Sequence, residues 1–348
     1  MAERPLTLRE SLQRHALRLL LRLPKGVQIW LTRKPSLRLD GDTLHPELQL
    51  ILHLRDAVGT PRLCEGEPKA TRARLRREAF VFAGARVPVG HVADLQIAGL
   101  SLRHYAPAAN GGPRPLLVFF HGGGFVLCDL DTHDTACRRL CRRANIHVLS
   151  VNYRLAPEFP FPAAIEDACA ALSWAMGNAN SLGADPCRVA VGGDSAGANL
   201  AAVACQQRAS QGAPAPALQL LLYPATDRTG SYSSLSLFGD GFLLTTRDIE
   251  WFQGLYAAGQ DLGDPRISPL RARDLSGLPP AIVVTAAFDP LRDEGESYAA
   301  ALERAGTRVV LMRMRGLTHG FLNLVDTSAA CRTALDEVTD ALKVQLEG

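Results

Sequence analysis

The sequence predicts an α/β protein with a mostly parallel, doubly wound sheet of about eight strands. From residue 116 onward, short apolar runs that fit strands alternate with longer segments of helical periodicity. Parallel strands need crossover connections, and helices on both faces of the sheet supply them. The chain has 348 residues, of which 47% are hydrophobic, so it can bury a core of that size.

Strands and helices follow a regular order in this part of the chain. The predicted strands are 116–120, 147–152, 188–191, 218–223, 281–286 and 309–312. The predicted helices are 134–144, 163–176, 196–208, a segment near 248–256, 294–305 and 329–346. A β-hairpin of 93–97 and 100–105 around the turn Ala98-Gly99 precedes them, followed by a loop at 107–115.

Two segments depart from this alternation. Residues 1–85 are predicted to form a small helical unit ahead of the main domain at 86–348, with breaker-rich connections and a second helix that begins near Pro46. Residues 225–275 interrupt the rhythm inside the main domain. Neither segment has the pattern of a strand of the sheet.

The N-terminal segment contains a predicted helix and an excess of positive charge. Thr7 and Glu10 have the spacing of a capping box, and Pro24 and Gly26 are expected to stop the helix. Its predicted apolar face comprises Leu8, Leu12, Ala16, Leu19, Leu20 and Leu23. Residues 1–38 hold nine Lys and Arg against Glu3 and Glu10, a net charge of +7, which can indicate an anionic surface as partner. We favour the simpler interpretation that the cations form the solvent face of an amphipathic helix.

Composition argues against several classes of protein. A net charge of +3 does not predict nucleic-acid binding. Arginines interrupt the N-terminal leucines and no apolar run has transmembrane length, so we expect a cytoplasmic protein without stable membrane insertion. Eight cysteines in so long a chain are expected to be free thiols in a reducing compartment. Cys137 and Cys141 lack a second pair, so they indicate a buried helix face better than a metal half-site.

The most informative stretch is Gly193-Asp-Ser-Ala-Gly197, which lies between a predicted strand and a predicted helix. This G-x-S-x-G pattern is typical of a nucleophile elbow, in which a strained backbone lifts the serine hydroxyl above the sheet. Glycines on either side of Ser195 remove bulk that would collide with neighbouring elements. The pattern alone also fits an ordinary strand–turn–helix corner. A catalytic role for Ser195 therefore also requires a base and a carboxylate elsewhere in the sequence.

The partners occur downstream in the order that a serine nucleophile requires. A serine needs a base within hydrogen-bond reach and a carboxylate that orients this base. Asp289 follows the strand 281–286, and His319 lies in a glycine-containing loop beyond the last strand. The alternative for Asp289 is an Asx turn or helix N-cap before Pro290, a role that Asp293 fits better. Ser195, Asp289 and His319 are therefore the predicted catalytic triad.

A glycine-rich loop upstream of the serine predicts an oxyanion hole. His121-Gly-Gly-Gly-Phe125 directly follows a strand, and consecutive glycines let backbone N–H groups approach a ligand. Gly123 and Gly124, with the amide of Ala196, would supply three donors. Such a loop can instead cradle phosphate, but G-K-[ST] and G-x-G-x-x-G are missing. His121 is expected to brace the loop.

Together these motifs resemble the hormone-sensitive-lipase-like esterases, of the bacterial family IV type, which have the α/β-hydrolase fold. The resemblance covers roughly residues 45–348. The motifs that carry it are His121-Gly-Gly-Gly-Phe125, Asp129-Leu-Asp-Thr-His133, Tyr153-Arg-Leu-Ala-Pro-Glu158 with Phe161-Pro162 and Asp167, Gly193-Asp-Ser-Ala-Gly197, Asp289-Pro-Leu-Arg-Asp293 and His319-Gly-Phe321. Arg154 and Glu158 are expected to be structural.

The resemblance implies hydrolysis of short- to medium-chain carboxylic esters through an acyl-enzyme. Ser195 would be the nucleophile, His319 the base and then the acid, and Asp289 its orienter. The resemblance implies no metal or organic cofactor. It also implies a helical cap formed by residues 1–85 and part of 225–275, a small-molecule ester as substrate, and a possible homodimer. The candidates for the substrate pocket are Phe125, Cys128, Asp194, Phe238, Phe242 and Leu243.

Two departures and three alternatives accompany this interpretation. Ala198 and Cys128 stand where the family commonly has glycine, which puts the substrate range in doubt. The same triad could serve an amidase or deacetylase, as in relatives of arylacetamide deacetylase, or a lipase. A non-catalytic receptor, similar to the plant gibberellin receptor, lacks the catalytic histidine, and the presence of His319 favours catalysis.

Overall fold

The computed structural model describes residues 5–97, 99–108 and 112–347 and contains a main sheet of eight strands. They are β3 His91–Ile97, β4 Leu100–Ala106, β5 Arg114–Phe120, β6 His147–Asn152, β7 Ala184–Asp194, β8 Gln219–Leu222, β9 Ala281–Phe288 and β10 Val309–Thr318. Two-residue strands β1 Arg38–Leu39 and β2 Asp42–Thr43 pair separately. Ala98 of the predicted turn and residues 109–111 of the predicted loop lie outside the described residues.

The helices follow the predicted alternation in the main domain. They are α1 Leu8–Leu21, α2 Lys25–Leu31, α3 Pro46–Ala57, α4 Pro68–Phe82, α5 Asp134–Ala144, α6 Ala163–Asn178, α7 Ala196–Ser210, α8 Ser233–Phe238, α9 Thr246–Ala257, α10 Arg292–Arg304 and α11 Ala329–Glu347. The order of the main sheet is β10-β9-β8-β7-β5-β6-β4-β3. Strand β4 pairs antiparallel with both β3 and β6, and the remaining neighbours are parallel. The predicted fold class is confirmed.

The core has one layer on each face of the sheet, because helices cover both faces. In β5, Leu116, Val118 and Phe120 pack on the side of α6, α7 and α10. Leu117 and Phe119, which point to the opposite face, pack with α5 and α11. Burial on both faces explains why the strand is apolar at every position instead of alternating.

The N-terminal helical unit differs from its prediction in several elements. Helix α1 ends at Leu21, ahead of Pro24 as expected, but Pro24 also occupies the N-cap of α2, a helix that the pattern did not predict. Gly26 lies inside α2, so the expectation that it stops a helix is wrong. Helix α4 was not predicted either, because its arginines obscure the apolar periodicity. One of them, Arg72, donates to the carbonyl oxygens of Val126 and Ala156 and pairs with Glu158, which confirms a structural role for Glu158.

Candidate active site

Ser195 occupies the tight corner between β7 and α7. Its backbone has φ +54° and ψ −116°, a conformation that is costly for a residue with a side chain. Its N–H donates to the carbonyl of Leu222, 2.8 Å away, which holds the corner against β8. A Cβ at Gly193 or Gly197 would overlap with the carbonyl oxygen of Phe120. The two glycines therefore permit the contact between the elbow and β5.

The three predicted triad residues meet at the carboxyl ends of their strands. Ser195 Oγ lies 2.9 Å from His319 Nε2, and His319 Nδ1 lies 2.7 Å from Asp289 Oδ2. Asp289 is fully buried and His319 is 8% exposed. The other oxygen of Asp289 accepts the N–H of Leu291 at 2.8 Å, so the carboxylate cannot rotate away from the imidazole without losing a second bond.

Asp293, the alternative carboxylate, serves a different element. It lies in the first turn of α10, and its Oδ2 accepts the N–H of Ser234 at the start of α8. The Asx turn expected before Pro290 belongs to Asp289, through Leu291, and the α10 N-cap is Leu291 itself. The prediction that Asp293 fits the cap better is therefore wrong, because Asp289 orients His319 and closes the turn at the same time.

Three backbone N–H groups belong to the predicted oxyanion hole. Within the described part of the chain, the N–H groups of Gly123, Gly124 and Ala196 have no hydrogen-bond acceptor. Gly123 has φ +109° and Gly124 has φ +61°, and a Cβ at Gly124 would overlap with the ring of Phe252 in α9. Glycine is thus required here both by the backbone conformation and by the close approach of the ring.

Asp194 ties the glycine-rich loop to the elbow. Its buried carboxylate accepts the N–H of Gly122 at 2.8 Å and the hydroxyl of Tyr223 at 3.2 Å, and it pairs with His133 Nε2 at 3.1 Å. Burial alone would raise the pKa of Asp194, but the interaction with His133 and the bond from Gly122 outweigh it and lower the pKa. Its side chain positions the oxyanion loop, although it also borders the cavity.

A family model described as "alpha/beta hydrolase fold" matches residues 117–323. The chain belongs to the α/β-hydrolase fold family. It is 49% identical to the carboxylic ester hydrolase LipN of Mycobacterium tuberculosis over 93% of this chain and 89% of that protein. It is also 35% identical to the ethyl acetate hydrolase of Pseudomonas putida, over 87% of this chain and all of that protein.

Solved structures of the family agree. An ester hydrolase from the Lake Arreo metagenome, complexed with a derivative of bipyridine phosphonate, has a TM-score of 0.83 and 40% identity. The similarity covers 88% of this chain and 100% of that one. The resemblance to the hormone-sensitive-lipase-like esterases is confirmed.

A cavity of about 2180 Å³ opens in front of the triad of this α/β hydrolase. This volume exceeds the several hundred Å³ that are usual for small-molecule sites. Near Ser195 the wall contains Phe125, stacked on Tyr256 of α9 with ring centroids 3.8 Å apart, and Phe252. The farther wall comes from α1, α3 and α4. The hydroxyl of Tyr256 is buried and has no hydrogen-bond partner among the described residues.

Most of the predicted pocket residues border this cavity. They are Phe125, Cys128, Asp194, Phe242 and Leu243. Phe238 does not, and this prediction is wrong. Helix α8 turns its ring into the core against Phe288, at 5.5 Å between centroids, and the guanidinium of Arg292 covers it. Phe252, Tyr256 and Asn199 line the cavity and were not predicted, because only the position of α9 over the elbow brings the two aromatic residues there.

Cys128 stands where the family commonly has glycine, and its backbone conformation is one that glycine adopts more easily. Its φ is +69°, in the region that favours glycine, so glycine at this position relieves the backbone. The thiol borders the cavity, and burial raises its pKa well above the usual range. A protonated thiol is a poor nucleophile, so Cys128 shapes the cavity without adding a second reactive group.

His121 braces the loop as expected. It is fully buried, stacks on Tyr153 with 4.4 Å between centroids, and its Nδ1 lies 2.8 Å from the carbonyl of Gly122. Burial and the neighbouring His133 lower its pKa to about 4. Arg154 binds Asp167 and Glu166 and is likewise structural.

Within the described ranges, no group of three or more His, Cys, Asp or Glu side chains is placed to hold a metal ion. No described helix is long and apolar enough to cross a membrane. All eight cysteines are free thiols.

Proposed function

We propose that this protein is a serine carboxylesterase that hydrolyses short- to medium-chain esters through an acyl-enzyme on Ser195. One observation carries the proposal: Asp289, His319 and Ser195 form a hydrogen-bonded series, and Ser195 borders the same cavity as Gly123, Gly124 and Ala196, whose N–H groups lack an acceptor among the described residues. A hydroxyl next to a base and a site for an oxyanion are the two parts that acyl transfer needs. Relatives that cover most of the chain are carboxylic ester hydrolases.

The geometry assigns each atom a step. Ser195 Oγ attacks the ester carbonyl carbon while His319 Nε2 takes the hydroxyl proton, and the carbonyl oxygen becomes an oxyanion that the three N–H groups stabilise. The C–O bond to the alcohol then breaks, and the same proton leaves with the alcohol. Water attacks the acyl-enzyme by the reverse sequence and releases the acid. Asp289 holds His319 in the tautomer whose Nε2 can accept.

The cavity supports an uncharged, apolar acyl group. Phe125, Phe252 and Tyr256 surround the space next to Ser195, and apolar residues of α1 and α3 continue the wall. We infer that the N-terminal helices within 1–85 and α9, in the segment 225–275, form the cap of this pocket. The activity named for the Pseudomonas putida relative, on ethyl acetate, supports the short end of the substrate range.

We also propose that two copies pair through β10, in the cytoplasm. β10 is the last strand of the sheet, and Leu311 on it is 46% exposed, so its edge can extend the sheet into a second copy. Free cysteines throughout the chain support a reducing compartment. Sedimentation of the purified protein tests the pairing, and a monomer at micromolar concentration contradicts it.

The direct test is turnover of p-nitrophenyl esters of increasing acyl length by the wild type and Ser195→Ala. We expect wild-type turnover to peak at short or medium chains, and Ser195→Ala to lose about 10⁶-fold, the size found when a serine nucleophile is removed. A fluorophosphonate should label the wild type at Ser195 alone. Turnover by folded Ser195→Ala within tenfold of the wild type refutes the assignment.

A further inference from the structure

Helix α1 presents leucines to solvent instead of to the protein. Leu8, Leu12 and Leu19 are 79%, 62% and 64% exposed. At 3.6 residues per turn, these three side chains lie within about 40° of one another around the helix axis. The predicted apolar face of α1 therefore exists, but Leu8, Leu12 and Leu19 do not pack against the protein. An exposed apolar stripe of this length is unusual for a single surface helix.

The exposed apolar residues continue along the chain into α2. Leu23 is 36%, Val27 39% and Trp30 75% exposed. Trp is enriched where a protein meets a membrane surface, because its ring is apolar and its N–H is polar. We call the six residues Leu8, Leu12, Leu19, Leu23, Val27 and Trp30 the apolar stripe.

Cations surround the apolar stripe. Arg9, Arg22, Lys25, Arg33 and Lys34 are exposed. None of these five forms an ion pair within the part of the chain that the structure describes. Apolar side chains flanked by unpaired cations match a surface that is apolar below and negatively charged above.

The orientation of α1 is set by polar contacts on its inner side. Arg14 and Arg18 both donate to the carbonyl oxygen of Ala83 at 2.6 Å, and Glu10 pairs with Arg77 of α4. Rotating the helix to bury the leucines would break these bonds. The charged contacts therefore hold Leu8, Leu12 and Leu19 outward. Arg14 and Arg18 face the protein, against the expectation that the cations form the solvent face, whereas Arg9 and Arg22 are exposed as expected.

The inner side of the same helix borders the substrate cavity. Ala16, Leu17 and Leu20 are among the residues that line this cavity. One helix thus presents apolar residues to solvent on one side and to the cavity on the other. A lipophilic ester that leaves a lipid surface at α1 would reach an apolar wall directly.

We propose that α1 and α2 dock this protein on an anionic lipid surface, with the apolar stripe in the acyl region and the surrounding cations at the headgroups. The ester that it hydrolyses then enters the cavity from that surface. The second statement rests on the proposed function, whereas the docking does not. A second copy of the chain fits less well, because a symmetric pair would bring two cationic segments together.

Co-sedimentation with vesicles tests the docking without any substrate. Wild-type protein is expected to bind vesicles of phosphatidylcholine with 30% phosphatidylglycerol, and to bind at least tenfold less to phosphatidylcholine alone, since the exposed cations are attracted by anionic headgroups. Leu12→Glu/Leu19→Glu is expected to lose binding at least tenfold. Val344→Glu is the control, because it also replaces an exposed apolar side chain by glutamate, at a position of α11 that is 65% exposed. It should bind like the wild type.

A second pair of variants separates charge from folding. Arg22→Gln/Lys25→Gln should weaken binding to anionic vesicles and leave the apolar residues intact. The Leu12/Leu19 and Arg22/Lys25 variants should hydrolyse soluble p-nitrophenyl acetate like the wild type, whereas Ser195→Ala should bind vesicles normally. Failure of the esterase assignment and failure of the docking proposal are therefore distinguishable. Three results overturn the proposal: no binding of the wild type to anionic vesicles, unchanged binding of Leu12→Glu/Leu19→Glu, or a wild-type dimer that this double variant converts to monomer.

Discussion

The elbow at Ser195 and the helix α1 were both predicted from short sequence patterns, but only the elbow has the surroundings that its pattern implied. At the elbow, Gly193 and Gly197 contact β5, and Asp194 holds the neighbouring loop. At α1 the capping box forms as predicted, yet Leu8, Leu12 and Leu19 face solvent and two arginines face the protein. A pattern that includes steric requirements specifies its neighbours, whereas amphipathic periodicity specifies only a face.

The comparison has a functional counterpart. Changes at the elbow and its partners should reduce turnover of every ester, because they remove groups that contact the reacting atoms. Changes in the apolar stripe of α1 should leave soluble esters unaffected.

Asp289→Asn is expected to lower kcat about 10⁴-fold, the loss that follows when an asparagine stabilises the wrong histidine tautomer. The amide would donate to His319 Nδ1, so Nε2 would carry the proton and could not accept from Ser195. Asp293→Asn is the matched control and should lose less than tenfold, because an amide oxygen can still accept the N–H of Ser234. Similar losses in both variants would show that neither carboxylate has a specific role at His319.

Gly124→Ala is expected to lower kcat by about 10²–10³-fold, the loss expected when one oxyanion donor is misplaced. The added methyl group collides with the Phe252 ring and strains a backbone at φ +61°. Gly212→Ala is a matched control, since Gly212 has φ +62° and open space around it. It should lose about 1 kcal/mol of stability without a change in kcat. If Gly124→Ala retains wild-type kcat, its N–H does not bind the oxyanion.

His121 predicts a pH dependence of stability. Burial and His133 lower its pKa to about 4 in the folded protein, with Asp129 and Asp194 as the nearby acids. In the unfolded chain a histidine has a pKa of about 6.5. Below pH 6.5 the unfolded chain therefore binds a proton that the folded protein excludes. The contribution of His121 is complete above about pH 6.5 and is lost, by about 3 kcal/mol in total, as the pH falls to 4.

Urea unfolding of the wild type and His121→Gln between pH 8 and 4 measures this effect. The two plots of unfolding free energy against pH should run parallel above pH 7. Below pH 6.5 the plot of His121→Gln should fall less steeply, by up to about 1.4 kcal/mol per pH unit. Parallel plots over the whole range would mean that His121 takes up its proton equally well in the folded protein.

Much of the site could be predicted because its residues carry their steric and chemical requirements in the sequence. The glycines around Ser195 and in the oxyanion loop, and the order of Ser195, Asp289 and His319, are visible without coordinates. Phe238 shows the limit. It lies close in sequence to Phe242, which lines the cavity, but α8 directs Phe238 to Phe288 in the core. Phe252 and Tyr256 were missed for the same reason, since their role depends on where α9 lies.

Strand burial, backbone strain and proton transfer restrict which residues can form the parallel sheet, the elbow and the proposed triad, so these features could be derived from the sequence alone. Which aromatic rings border the cavity, and which side of α1 meets solvent, depend on tertiary contacts. Helical periodicity defines a face without naming its partner. At α1, the carbonyl of Ala83 bound the arginines and thereby turned the leucines outward.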